Sequence, residues 1–308
     1  MKNETIQIAV LLPCFNEEKT IHEVVRTFRL ALPEATIYVC NNNSTDNTKK
    51  IALNAGAIVL DEPKKGKAHA VEKLFRSISA DYYILSDGDL TYDPKIAKSA
   101  IEKCKDLNAD MLVGVRKSVS GQKTYRPGHH FGNWAFTKIL QLIFSGSFID
   151  VLSGYRVFSR KFVKSMPILS KGFDIEVEMT IHALSLNLTV GEFETNYYER
   201  PEGSVSKLNT FRDGLLITKT ILRLLNDYKP LLIFSIATFV QLVLGILLFI
   251  PILEQFMITG MVDRFPTAFL SLGLIILSAM SFFTGLILDG ITRSRLETKK
   301  IAFLQSSK

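Results

Sequence analysis

Short apolar runs alternate with segments of helical periodicity over the first part of the chain. The apolar runs are rich in β-branched residues and cover residues 6–12, 37–40, 58–60, 82–85 and 111–115. Near-continuous runs of this kind are typical of strands buried on both faces of a parallel sheet. The intervening segments with helical length and pattern are residues 17–31, 47–55, 67–79 and 94–107. This alternation predicts a doubly wound, mostly parallel α/β domain over residues 1–208, with its ligand site at the carboxyl ends of the strands.

The hydrophobic pattern changes after residue 208. Residues 209–229 place apolar side chains among basic ones at helical spacing, which predicts an amphipathic helix that lies on a membrane surface or packs on a protein core. Residues 230–253 and 265–288 are two stretches of 24 residues each without an ionisable side chain. At roughly 1.5 Å per residue each would span roughly 36 Å, enough for a hydrocarbon core of about 30 Å. The sequence therefore predicts two transmembrane helices.

Basic residues flank this pair of spans on one side. The link between the spans, residues 254–264, has Arg264 as its single strong base. The bases before the first span and after the second are Arg212, Lys219, Arg223, Lys229, Arg293, Arg295, Lys299 and Lys300. The positive-inside rule therefore predicts an integral membrane protein whose two termini and N-terminal domain lie in the cytoplasm, with residues 289–308 as a basic cytoplasmic tail.

Composition narrows the class of partner. The net charge of +7 and the isoelectric point near 9.2 suit an anionic partner, such as nucleotide phosphates, acidic lipid headgroups or nucleic acid. The three cysteines, Cys14, Cys40 and Cys104, lie far apart and predict reduced thiols rather than a disulfide framework or a zinc site. The apolar stretch 6–12 ends at Pro13 and lacks a small-residue cleavage site, so we interpret it as a strand rather than a signal peptide.

Polar motifs follow three of the predicted strands. Asp87 and Asp89, in the segment Ser-Asp-Gly-Asp, come directly after the run 82–85. Two carboxylates in this position could hold Mg²⁺ or Mn²⁺ and, through it, a diphosphate, although the same triplet is common in solvated turns. Residues 13–18 (Pro-Cys-Phe-Asn-Glu-Glu) follow the first strand, and residues 41–46 (Asn-Asn-Asn-Ser-Thr-Asp) follow the second.

The order and spacing of these motifs resemble those of family 2 glycosyltransferases, which have a GT-A fold. The resemblance implies that Asp87 and Asp89 hold ribose, metal and diphosphate. It also implies a nucleotide-binding set consisting of Pro13, Asn16, Glu17, Asn41, Asn42, Asp46, Gly66 and Lys67. Many relatives have two acids where this chain has Asn41 and Asn42. Because an amide both donates and accepts hydrogen bonds, the identity of the base stays open.

Four further motifs narrow the resemblance. They are residues 114–116 (Gly-Val-Arg), 125–128 (Tyr-Arg-Pro-Gly), 150–156 (Asp-Val-Leu-Ser-Gly-Tyr-Arg) and 200–207 (Arg-Pro-Glu-Gly-Ser-Val-Ser-Lys). These motifs are similar to those of dolichyl- and polyprenyl-phosphate sugar transferases, which implies a lipid monophosphate as acceptor. The side chains that would bind the acceptor or a phosphate group are Arg116, Arg126, Arg156, Arg200, Ser206 and Lys207, and any single base among them could instead be a solvated surface charge.

The resemblance implies an inverting displacement at the anomeric carbon, with a metal-bound nucleoside diphosphate as leaving group. Asp89, Asp150 and Arg156 are the predicted catalytic residues, and Asp150 acts either as a base or only to orient Arg156 or the acceptor. Glu176, with its acidic neighbours, lies either on a polar face or along the acceptor side. The hairpin would bring the site to a polyprenyl or dolichyl phosphate among membrane lipids, and two hairpins could pair into a homo-oligomer.

Two alternatives use the same fold. One is transfer to a lipid-linked oligosaccharide or a polysaccharide, although the chain lacks the Gln-x-x-Arg-Trp motif of processive synthases. The other is a catalytically silent membrane scaffold, which would have no need of Asp87 and Asp89. Nucleic acid is not an expected partner, because the bases are dispersed among the glycosyltransferase-like loops.

Overall fold

A seven-stranded mixed sheet forms the centre of the N-terminal part of the chain. The computed structural model describes residues 6–118, 149–168, 175–199, 223 and 225–306. The strands are β1 (Ile8–Cys14), β2 (Thr36–Asn41), β3 (Ile58–Asp61), β4 (Tyr82–Leu85), β5 (Met111–Ser118), β6 (Arg156–Ser159) and β7 (Val190–Tyr197). The helices are α1 (Ile21–Ala31), α2 (Thr48–Asn54), α3 (Lys67–Ser77), α4 (Ala97–Asp106), α5 (Arg160–Ser165), α6 (Ile175–Ser185), α7 (Pro230–Thr259) and α8 (Phe265–Gln305), and a short 3₁₀ helix, Pro94–Ile96, precedes α4.

The strand order is β3-β2-β1-β4-β6-β5-β7. All pairs are parallel except the two made by β6, which is antiparallel to β4 and to β5. The predicted α/β class with a mostly parallel sheet is confirmed, and each of the five predicted apolar runs overlaps a strand. The strand β1 continues to Cys14, past the predicted end, because its last residues pair with β2 alone and Pro13 needs no amide donor there.

The helices α1, α3 and α4 bury one stripe each. In α1 the buried side chains are Ile21, Val24, Val25 and Phe28, the spacing of one helical face. This face and the strand side chains of β1, β2 and β4 belong to one hydrophobic core. Since β1, β2 and β4 are parallel neighbours, their carboxyl ends lie at one edge of the sheet, which is where the polar motifs follow.

The chain divides into two compact units, Met1–Thr210 with Thr298–Lys308, and Phe211–Glu297. The second unit contains α7 and most of α8, two helices that are long and apolar enough to cross a membrane. Most of their large apolar side chains are exposed. The helix α8 extends well beyond the predicted span 265–288. Most of the predicted amphipathic helix 209–229 lies outside the described residues, as does the predicted boundary near residue 208, and both stay predictions.

Small side chains line the contact between α7 and α8. The buried positions of α8 are Ser271, Ser278, Gly285 and Thr292, which recur every seven residues. The hydroxyl of Ser271 donates to the carbonyl oxygen of Gly245 at 2.8 Å. A seven-residue repeat keeps one seam of two helices in contact, so this hairpin packs through small residues and leaves its large side chains outside.

Candidate active site

The loops after β1 and β2 are joined by side-chain hydrogen bonds. The Asn16 Oδ1 accepts from the Thr45 amide at 2.8 Å, and Asn16 itself adopts a left-handed φ of 57°. One oxygen of Asp46 accepts from the Glu18 amide at 3.2 Å, and the other accepts from the Thr48 amide at 3.0 Å. The side chains of Asn16 and Asp46 therefore brace the loops at the predicted nucleotide site, and their contact with a nucleotide stays a prediction.

Pro13 and Glu17 lie where the chain leaves β1. Pro13 is opposite Cys40 of β2, and the carbonyl oxygen of Glu17 accepts from the amides of Thr20 and Ile21. This turn explains why α1 begins at Ile21 and not at the predicted residue 17. It also keeps residues 17–20 at the carboxyl edge of the sheet.

Asn41 and Asn42 use their amides inside the protein. The Asn41 Nδ2 donates to the Asp61 Oδ1 at 2.9 Å. Asn42 is 4% exposed; its Nδ2 donates to the Lys64 carbonyl at 2.6 Å and its Oδ1 accepts from the Gly66 amide at 2.7 Å. Asn42 therefore positions the loop that leads into α3. Its contact with the nucleotide stays a prediction, because an amide oxygen has two lone pairs and the Gly66 amide uses one of them. Nucleotide contact by Asn41 stays a prediction.

Lys67, the first residue of α3, connects two acidic side chains. Its Nζ is 2.5 Å from the Asp87 Oδ1 and 2.6 Å from the Glu176 Oε1. Burial alone would lower the pKa of Lys67, but the charges of Asp87 and Glu176 outweigh it and raise the pKa above its usual value. Gly66, which precedes this lysine, has a φ of 134°, a conformation that favours glycine.

Asp87 and Asp89 follow β4 at the same edge of the sheet. The Asp89 side chain is nearly buried, and its Oδ1 accepts from the Thr91 amide at 3.1 Å and from the Thr91 hydroxyl at 2.6 Å. Gly88 lies against β1, because a Cβ at this position would be 2.5 Å from the Cys14 Sγ. The predicted pair is therefore held on a turn that is packed against the first strand.

The two carboxylates fit Mg²⁺ or Mn²⁺. These ions prefer oxygen ligands and are commonly bound by one or two carboxylates together with substrate phosphates and water. In the part of the chain that the structure describes, no group of three or more His, Cys, Asp or Glu side chains could hold a metal ion. An ion held by Asp87 and Asp89 would need further oxygen ligands, which a diphosphate and water could supply.

Gly154 closes one side of this cluster. A Cβ on Gly154 would be 2.8 Å from the Asp87 Oδ2 and 3.1 Å from the Lys67 Nζ. The Gly154 amide donates to the Tyr92 hydroxyl at 2.8 Å, and the Ser153 hydroxyl is 3.4 Å from the same oxygen. Tyr92 thus links the segment after Asp89 to the loop before β6. Sequence reasoning did not single out Tyr92 or Gly154, although Gly154 lies within the motif 150–156.

Arg116 and Asp150 form a buried, bidentate ion pair. The Arg116 Nε is 2.6 Å from the Asp150 Oδ2 and its Nη2 is 2.8 Å from the Oδ1. The two side chains are 9% and 6% exposed, and the guanidinium lies over the ring of Tyr197 at 5.3 Å. The Glu192 Oε1 accepts from the Ile149 amide at 2.6 Å. Asp150 pairs with Arg116 and also acts on Arg156 through its charge, so its role in orienting Arg156 or the acceptor stays a prediction. A base at this position would first have to leave the pair with Arg116.

Arg156 is a structural residue. It has no exposed surface; its guanidinium donates to the carbonyl oxygens of Ser153 at 2.9 Å and Val151 at 2.6 Å and to the Thr180 hydroxyl at 2.9 Å. Burial lowers its pKa to about 10, so it stays charged at neutral pH. The prediction that Arg156 binds a phosphate group or acts catalytically is wrong, because its donors hold the loop 150–154 from inside the protein.

The remaining predicted residues for the acceptor lie outside the described part of the chain. They are Arg126, Arg200, Ser206 and Lys207. Glu176, for which the sequence left two interpretations open, is 6% exposed and belongs to the cluster with Lys67 and Asp87.

Comparison with known proteins identifies the family. Residues 9–166 match the family model described as glycosyl transferase family 2. The glycosyltransferase AglJ of Haloferax volcanii is 31% identical over 245 residues, which is 78% of this chain and 78% of that protein. A dolichyl-phosphate hexose transferase of the same organism is 24% identical over 216 residues, 70% of this chain and 92% of that protein.

A solved structure shows the same fold. Glucosyl-3-phosphoglycerate synthase from Mycobacterium tuberculosis, in complex with Mn²⁺ and UDP-glucose, superposes with a TM-score of 0.57 at 20% identity, covering 72% of this chain and 78% of that one. With the family match and the strand order above, the conclusion is that this chain belongs to glycosyltransferase family 2 and is a glycosyltransferase with a GT-A fold.

Proposed function

We propose that this enzyme transfers a sugar from a UDP- or GDP-linked donor to a polyprenyl or dolichyl monophosphate at the cytoplasmic face of a membrane. The observation that carries the proposal is the presence, in one glycosyltransferase chain, of the acidic pair after β4 and of two exposed apolar helices of membrane-spanning length. A soluble acceptor would not require such helices.

The donor side is supported by the cluster at the carboxyl edge of the sheet. Asp87 and Asp89 would hold a divalent ion, and the solved relative with this fold contains Mn²⁺ and UDP-glucose. The ion, when bound, would offset the negative charge that develops on the departing diphosphate. Lys67 provides a positive charge beside Asp87, and this charge would also attract the diphosphate.

The acceptor side is supported by chemistry and by a relative. The Haloferax relative is named a dolichyl-phosphate hexose transferase. A phosphate monoester is already largely ionised at neutral pH, so its attack on the anomeric carbon, with inversion, requires no strong general base. This agrees with the ion pair of Asp150 with Arg116, because the reaction needs no proton acceptor at Asp150. We keep Arg126, Arg200, Ser206 and Lys207 as proposed phosphate ligands.

A donor screen tests the proposal. The full-length enzyme in detergent would receive polyprenyl phosphate or, in a parallel reaction, a lipid-linked oligosaccharide, together with Mg²⁺ or Mn²⁺ and a panel of UDP- and GDP-sugars. Asp89→Ala would be measured beside Asp106→Ala. Asp106 is exposed at the end of α4, so it controls for loss of an acid as such. We expect a metal-dependent glycosylated lipid monophosphate that is lost in Asp89→Ala alone. A product on an oligosaccharide instead would establish the other acceptor class, and no product with any donor would favour the silent scaffold.

The proposed topology has its own test. The native cysteines are buried, so single cysteines introduced at Met261, between the two helices, and at Glu297 would report labelling in intact cells with little background. We expect a membrane-impermeant maleimide to label the Met261 position and to leave the Glu297 position unlabelled until the cells are opened. The reverse pattern would place the catalytic domain on the outer face.

A further inference from the structure

Lys67 is held between two acids at the predicted metal site. Its side chain is 14% exposed, and those of Asp87 and Glu176 are 25% and 8% exposed. The three groups come from α3, from the turn after β4 and from α6. Each of the two contacts of Lys67 is a charge-assisted hydrogen bond to a carboxylate, which is stronger than a hydrogen bond between neutral groups.

The ammonium of Lys67 lies where its charge would oppose the binding of a metal ion at Asp87. It contacts the Oδ1 of Asp87, one of the two predicted metal ligands, at 2.5 Å. A divalent cation that binds Asp87 is repelled by this ammonium. The repulsion is reduced only if an anion enters beside both cations. The diphosphate of a nucleotide sugar is such an anion, and a lysine can contact it as a point charge at the end of a flexible stem.

We propose that Lys67 couples metal binding to donor binding, so that a divalent ion binds tightly at Asp87 and Asp89 only together with a nucleoside diphosphate. Without the diphosphate, Lys67 neutralises Asp87 and keeps the affinity for a free ion low. With the diphosphate, the ammonium pairs with phosphate oxygens, and the carboxylate of Asp87 becomes available to the ion. The inference rests on the proposed function in one respect, which is that the donor carries a diphosphate.

Glu176 provides a second carboxylate for the Lys67 ammonium when Asp87 binds a metal ion. Because it pairs with the same ammonium from α6 at 2.6 Å, it keeps Lys67 near the site when Asp87 turns to a metal ion. The backbone at Gly154 limits the room on the other side, since an added carbon there would meet both Asp87 and Lys67. The lysine can therefore move toward a diphosphate and still stay in the cluster.

Titration with Mn²⁺, followed by the electron paramagnetic resonance signal of the free ion, tests the coupling. The full-length protein in detergent is measured alone and with saturating UDP or GDP. Four proteins are compared: wild type, Lys67→Met, Lys67→Arg and Lys117→Met. Lys117 also pairs with an acid, Glu194, but both side chains are more than half exposed, so this variant removes a charge and an ion pair away from the cluster.

For wild type and Lys117→Met we expect the diphosphate to increase Mn²⁺ affinity at least about tenfold. We expect Lys67→Arg to retain most of that increase, because it keeps the positive charge. For Lys67→Met we expect tighter binding of Mn²⁺ alone and a gain from the diphosphate that is at least about tenfold smaller. The proposal is overturned if wild type binds Mn²⁺ equally well with and without diphosphate, or if Lys67→Met shows the wild-type gain. If Lys67→Met does not fold, equal Mn²⁺ affinity of wild type with and without diphosphate still overturns the proposal.

These outcomes are separate from the acceptor. The titration contains no lipid. If Lys67→Met shows the smaller diphosphate-dependent gain in Mn²⁺ affinity but wild type makes no lipid product in the donor screen, the coupling is supported and the proposed acceptor is refuted. A lipid product together with an unchanged gain would do the opposite.

Discussion

The buried ion pair between Arg116 and Asp150 allows a sharp test of whether Asp150 is a base or a structural residue. The perturbation is Asp150→Asn, which keeps the size of the side chain and removes its charge. In the structure this change leaves the Arg116 guanidinium, 9% exposed, facing an amide that can accept only one of its two side-chain hydrogen bonds.

The expected loss follows from the geometry. At an effective dielectric constant of about 20, two unit charges about 2.8 Å apart attract by roughly 6 kcal/mol, and part of this offsets the cost of removing both from water. Removing one partner of such a pair destabilises a protein by about 3–5 kcal/mol, because the other charge stays buried. For a unit of this size that corresponds to a decrease in melting temperature of about 6–20 °C.

Thermal unfolding of the full-length protein in detergent measures this loss, with Asp106→Asn as the matched surface control. The double variant Arg116→Met with Asp150→Asn should lose less than the sum of the two single variants by about 2 kcal/mol or more, since neither charge is then left alone. Transferase activity of the protein that stays folded at low temperature should persist. A melting temperature within about 2 °C of wild type, combined with abolished activity, would refute this reasoning and restore Asp150 as a base.

Three further predictions follow from close contacts and burial. Gly154→Ala should reduce kcat/KM by about 10–100-fold with little change in melting temperature, because the added carbon displaces Asp87, and unchanged kinetics would contradict this. Gly245→Val should destabilise the hairpin by about 1–3 kcal/mol, whereas Gly273→Val, where an added carbon meets no atom within 4 Å, should not; equal melting temperatures would argue against the packing. His182 has its pKa lowered from 6.5 to about 4 by burial, so the unfolded chain binds a proton between these pH values that the folded chain does not. The free energy of unfolding should therefore fall by about 2 kcal/mol from pH 7 to pH 5 through this group. Thermal unfolding at the two pH values measures this loss. His182→Gln should remove it, and His22→Gln, at an exposed position, should leave it intact.

The sheet illustrates which strands can be predicted from the sequence. The strands β1 to β5 are preceded or followed by helical segments and have nearly continuous apolar residues, so their pattern is readable. By contrast, β6 has only two apolar residues, Val157 and Phe158, between Arg156 and Ser159, and β7 mixes apolar and polar residues over Val190–Tyr197. Both were missed, because their identity as strands depends on pairing with β4 and β5 and not on a local pattern.

The site shows the same division between local and long-range information. Asp87 and Asp89 could be placed at the carboxyl end of a strand from sequence alone, because the polar pair directly follows an apolar run. The ion pair of Lys67 with Glu176 could not be predicted, since Glu176 is more than a hundred residues away along the chain. Arg156 is the clearest error. Its sequence motif suggested a phosphate ligand, but an arginine's guanidinium can equally satisfy buried carbonyl oxygens, and only its position in the fold distinguishes the two roles.

The sequence by itself determined the α/β class, the position of the acidic pair and the two apolar stretches of membrane-spanning length, because each depends on the order of residue types over a short distance. Tertiary structure alone decided which charges neutralise each other: Lys67 with Asp87 and Glu176, and Arg116 with Asp150. It also decided that Asn42 and Arg156 support loops from inside. The physical reason is that a buried polar group takes whichever partner the packing brings within hydrogen-bond distance, and that partner is set by the whole fold.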